Sequence, residues 1–113
     1  MPVQGQLDLS QLLTARDKLD IQEKVAREEY KVSRAERVAS IIVETESGKV
    51  FDGDEISQGR MARAILGLQS QPEGTTVTWV LADNSVADVT IVELTEALTK
   101  AGLRQTEIWT EGA

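Results

Sequence analysis

Residues 50–65, VFDGDEISQGRMARAI, set three carboxylates, Asp52, Asp54 and Glu55, within four positions, the densest acidic cluster in the chain. Carboxylates this close together are the raw material of a divalent-cation site or of general acid–base work. A divalent ion takes about six or more oxygen ligands, and the segment has neither a twelve-residue calcium loop nor a closing bidentate glutamate. A helix start accounts for the same residues. Asp54 sits where an N-cap accepts from the unpaired amides of the first turn, and Glu55 lies at the positive end of the helix dipole. Ser57 is a second cap candidate if the helix begins later, and Gly53 reads as the residue supplying a turn dihedral closed to bulkier side chains. These acids are therefore expected to be structural.

Little other reactive chemistry is available. The chain contains no cysteine and no histidine, which removes disulfides, thiolate nucleophiles, zinc-finger ligands and Ser-His-Asp triads. Ser10, Ser40, Ser57, Ser70 and Ser85 have no neighbouring base and no Gly-x-Ser-x-Gly elbow. No catalytic residue, cofactor site, metal site or small-molecule substrate is expected, and the protein is read as a non-enzyme. The N-terminal MPVQGQLDL has no basic region followed by an apolar one, and no apolar run is long enough to cross a bilayer. No export signal and no membrane span are expected.

The elements that would position a surface are clearer. The 113 residues, 41% hydrophobic, suit one modest core. Residues 1–39 hold seven acidic and seven basic side chains, so the whole formal charge of −7 falls on residues 40–113. An acidic body repels phosphate backbones, and the interleaved charges of the first segment form a solvated face; nucleic acid is not an expected partner.

The segment from about Leu9 to Ala39 has no internal Gly or Pro and carries Asp20/Lys24, Glu23/Arg27 and Lys24/Glu28 at i,i+4 spacing, so it reads as one long helix. Its apolar residues fall into two registers. Leu9, Leu12, Leu13 and Leu19 form the first. Ile21, Val25, Val32, Ala35, Ala39 and Ile42 form the second, which approximates a heptad seam flawed by Glu28. About 30 helical residues reach roughly 45 Å, more than a domain of this size spans. The seam is expected to pack on another chain, either a second copy or a different partner.

After Ala39, SIIVET and KVF flank the turn residues Glu46, Ser47 and Gly48 as a hairpin. A helix follows over residues 55–69 with the apolar stripe Ile56, Met61, Ala62, Ile65, Leu66 and Leu68. Pro72 and Gly74 close it. TTVTWVL alternates Val77, Trp79 and Leu81 inward, Ala82 to Ser85 turn the chain, and residues 86–89 return. Thr90 and Glu93 form a capping box for a last helix whose face is Leu94, Ala97, Leu98, Ala101, Gln105 and Ile108, with Gly102 a weak point. The fold class is α+β: a long N-terminal helical segment (1–39) for oligomerisation or partner contact, then a small domain (40–113) of two β-hairpin–helix units. The hairpins are expected to join in one small antiparallel sheet packed by helices. Trp79 reads as core; Trp109 is either a partly exposed packing residue or an interface anchor.

FDGDEISQGRMARAI followed by TWVLADNSVADVTIVELTEAL resembles a phage-associated domain family of unknown function. The matching positions are Phe51, Asp54, Glu55, Ser57, Gln58, Ala62, Trp79, Ala82, Asp83, Asn84 and Thr90, within about residues 40–105. The resemblance implies a bacteriophage or prophage tail-associated protein, located in the virion or the bacterial host cytoplasm, with itself or other tail proteins as partners. It also leaves open a tail-fibre assembly chaperone; a small acidic regulator binding a host protein is a further alternative. It implies no catalytic residue. Such domains often stand at the C-terminal end of tail-fibre-assembly-like proteins, and this chain departs from that pattern by carrying a charged helix instead of an upstream β-rich module. The interface expected from the residues comprises Ile21, Val25, Val32, Ala35, Ala39 and Trp109.

Overall fold

A computed structural model describes residues 2–111 of the chain, with side chains from residue 20 onward. The first helix, α1, runs Pro2–Ala39, several residues further toward the N-terminus than its apolar pattern. Pro2 stands at the first helical position, where a missing N–H costs nothing. Leu9, Leu12, Leu13 and Leu19, the first apolar register, have side chains outside the described residues. The chain divides into two compact units, one ending at Ser33 and the other beginning at Arg34. The last six residues of α1, nearly two turns, thus belong with the body, although the charge balance changes only near Ser40.

In the second unit α1 ends where the Ser40 amide and hydroxyl both donate to Glu36 O, at 3.1 and 2.9 Å. Strands β1 (Ile42–Glu44) and β2 (Val50–Asp52) follow as an antiparallel pair with Val43 opposite Phe51, both buried. Their turn closes through Thr45 N–H to Lys49 O at 2.9 Å, and Gly48 takes φ 86°, a left-handed value that favours glycine. Gly53 does not have such a dihedral, which corrects its sequence reading. It is glycine because a Cβ there would lie 2.5 Å from Ile41 Cγ2 and 2.9 Å from Ala101 Cβ.

Helix α2 (Glu55–Gln69) buries Met61 and Leu68 and half-buries Ala64 and Ile65. Ile56 and Leu66, placed in its core stripe from sequence, are exposed, because the six-residue stripe spans more of the circumference than a single contact face covers. Gly74, at φ 85°, redirects the chain into β3 (Thr76–Val80), which pairs with β4 (Val86–Thr90). Val77 and Trp79 point inward, and Asn84 takes φ 66° in the connecting turn, both as the pattern indicates. Helix α3 (Ile91–Thr110) starts with the Thr90/Glu93 capping box and buries Leu94, Ala97, Ala101 and Ile108.

The architecture is α+β, three helices and two hairpins. The hairpins do not merge: β1–β2 and β3–β4 form separate two-stranded sheets. With β1 and β2 only three residues each, the outer edge of β2 meets a turn instead of a strand, through Ala82 N–H to Val50 O at 3.0 Å. The core is shared by both hairpins and by α2 and α3, with Phe51, Met61, Val89 and Leu94 completely buried.

Candidate interaction surface

Three side chains secure the last two turns of α1 to the body. Val38 is buried in the core, Arg37 Nη2 donates to Glu111 Oε2 at 2.5 Å, and the Arg34 guanidinium lies 4.6 Å from the centroid of the Trp109 ring. Ala35 and Ala39, on the same turns, remain exposed. With Val38, Ile56 and Trp109 they line an open apolar groove edged by Asp54 and Glu55. The structure therefore brings together Ala35, Ala39 and Trp109 of the six interface candidates. It adds Ile56, 65% exposed, whose place in an apolar stripe concealed it from sequence reading.

Ile21, Val25 and Val32 lie in the first unit, 58%, 47% and 56% exposed. Water-facing β-branched residues at four- and seven-residue spacing on one helix are costly to leave uncovered, since each burial is worth about 1.5–3 kcal/mol. The surrounding charges pair only loosely; Lys31 Nζ to Glu28 Oε1 is 3.7 Å with both side chains exposed.

Two of the three clustered acids, Asp54 and Glu55, are taken up by the fold; Asp52 lies exposed on β2. Asp54 caps α2, accepting from Ser57 N at 3.4 Å and from the Ser57 hydroxyl. Glu55 Oε1 accepts from Gln105 Nε2 at 2.6 Å; Gln105 Oε1 accepts from Gln58 Nε2 at 2.7 Å; and Gln58 Nε2 also donates to Gly53 O at 2.9 Å. This amide chain ties the start of α2 to the middle of α3 and gives Gln105 its partners on an otherwise apolar stripe. Among the described residues no group of three or more acidic, cysteine or histidine side chains is arranged to hold a metal ion.

A second carboxylate centre is only half marked in the local sequence. Glu93 uses Oε1 for the capping box, accepting from Thr90 N at 3.1 Å, and Oε2 for Ser47 Oγ and Lys49 Nζ, each at 2.6 Å. Lys49 first, then Ser47, pull its carboxyl from 4.5 down to about 2. Glu96 Oε2 accepts from Lys100 Nζ at 2.7 Å and from Glu46 N at 2.8 Å, and its pKa is lowered chiefly by Lys100. Asp83 is lowered chiefly by Ser85, whose hydroxyl and amide it accepts at 2.5 and 2.9 Å. The capping motif reveals one oxygen of Glu93; the other joins residues 44 positions apart, and no spacing rule reaches that far.

Fold and surface together define a small α+β domain led by a long helix, with Asp54, Glu55, Thr90 and Glu93 committed to caps and to ties between elements. The chain belongs to the family described as a domain of unknown function (DUF4376), which matches residues 20–112. No curated protein and no solved structure matches it. The match begins within α1, so the family includes the part of the helix that carries Ile21, Val25 and Val32. Among the described residues no helix is long and apolar enough to cross a membrane.

Proposed function

We propose that this protein is a phage or prophage tail-associated structural or adaptor protein that works by protein–protein contact and self-association, without catalysis. The tail association rests on the motif resemblance within about residues 40–105, and the contact role on one observation: Ile21, Val25 and Val32 are exposed along α1. Burying apolar area is the main driving force available to a helix whose charges balance. The structural roles of Asp54 and Glu55 support a non-enzymatic reading, because their oxygens already accept bonds within the fold.

Mass spectrometry of purified particles from a phage or induced prophage carrying the gene tests the role. A structural subunit is retained through purification at a fixed ratio to the other tail proteins. Presence in the infected-cell lysate with absence from finished particles overturns it and identifies an assembly chaperone instead. Metal-dependent turnover abolished by Asp52→Asn with folding intact would overturn the non-enzymatic part.

A further inference from the structure

Building on the reading that α1 self-associates, we propose that two copies of α1 pair in parallel and in register, as a short two-stranded coiled coil over residues 21–39. In this register the a positions are Val25, Val32 and Ala39, and the d positions are Ile21, Glu28 and Ala35. Valine at a is the β-branched choice of two-stranded parallel dimers, in which leucine stands at d; here d holds Ile21, Glu28 and Ala35, and alanine at the last a and d positions lets the helices approach closely.

Orientation follows from the flanking charges. The g positions of the span hold Lys24, Lys31 and Val38, the last buried in the body, and the e positions that follow the two lysines hold Glu29 and Glu36. In a parallel dimer each g residue faces the e residue five positions further along the other helix, so Lys24 meets Glu29 and Lys31 meets Glu36, twice over by symmetry. An antiparallel pair sets g against g and e against e, lysine on lysine and glutamate on glutamate. The charge pattern supports one orientation and opposes the other. The body leaves the seam accessible at its C-terminal end: Arg34, Arg37 and Val38 hold the last two turns, while Ala35 and Ala39 remain uncovered. Glu28 is the weak layer, its carboxylate only loosely paired with Lys31 at 3.7 Å on its own helix.

A chain without cysteine allows a direct test. Val25→Cys and Val32→Cys each place a single thiol at an a position, where a parallel in-register dimer sets it against its own counterpart. Under mild oxidation both full-length variants should form disulfide-linked dimers at least about tenfold faster than Glu23→Cys, a solvent-facing f position. An antiparallel pair permits self-linking at no more than one of the two. In light scattering, Lys24→Glu with Lys31→Glu should weaken dimerisation about tenfold, and adding Glu29→Lys with Glu36→Lys should restore it. Dimerisation without linking at both positions, or with the fourfold exchange failing to restore it, overturns the parallel arrangement and leaves self-association standing. A chain that stays monomeric at every concentration, with linking no faster than Glu23→Cys, overturns both.

Discussion

Lys49 Nζ lies 2.6 Å from Glu93 Oε2, joining the entry of β2 to the first turn of α3. Both side chains are largely covered, and the same carboxylate closes the capping box, so one residue fastens a helix start to a hairpin. Hydrogen bonds to a charged group in such a setting are worth about 1.5–3 kcal/mol.

The pH dependence follows from the direction of the shift. A carboxyl lowered from 4.5 to about 2 by folding stabilises the protein above roughly pH 4.5, and that contribution disappears as pH falls toward 2. Asp83 and Glu96, also lowered, act in the same direction. The urea midpoint of the wild type should fall on acidification through this window. Glu93→Gln should be less stable by about 1–3 kcal/mol at pH 7 and should converge on the wild type near pH 2. A gap unchanged at pH 2 would exclude the ionised carboxylate as its cause.

Two glycines should respond in opposite directions. Gly53→Ala places a methyl against Ile41 and Ala101, where their buried side chains have little room to move, and should cost about 1–3 kcal/mol. Gly67, inside α2, has nothing within 4 Å of an added Cβ, and Gly67→Ala should stabilise by about 0.5–1 kcal/mol. Denaturant titrations of the two variants side by side check both signs.

Thr90→Ala removes the side chain that accepts from Glu93 N at 3.2 Å and should cost about 1 kcal/mol. Thr90→Val keeps the shape without the acceptor, so an equal loss in thermal melts assigns the effect to the cap.

Glu28→Leu fills the flawed d layer of α1. Burying a leucine there is worth about 1.5–3 kcal/mol, so sedimentation equilibrium should show self-association at least about tenfold tighter. Unaltered association would mean that residue 28 does not face a partner.

What sequence made legible was local. Asp54, Thr90 with Glu93, Asn84 and Gly74 announce helix starts and turns through their own backbones, and all occupy those places. The α3 stripe is also readable, because burial repeats every three or four residues. What escaped depends on partners distant in sequence. Gly53 looks like a turn residue until Ile41 and Ala101 close around it. Gln105 looks misplaced on an apolar face until Gln58 and Glu55 reach it. Ile56 and Leu66 are as apolar as Met61, and only the direction from which α3 packs distinguishes them. The separation of the two hairpins likewise follows from where short strands end, a boundary that composition marks poorly.

The placement of Trp109 beneath Arg34, with Trp79 half-covered on β3, equips the protein with two optical reporters on different events. In Trp79→Phe, the remaining indole senses the guanidinium and should change its emission when the final turns of α1 fray from the end of α3. In Trp109→Phe, the signal follows melting of the second hairpin. Fraying ahead of the cooperative transition would make the first curve begin at lower denaturant than the second.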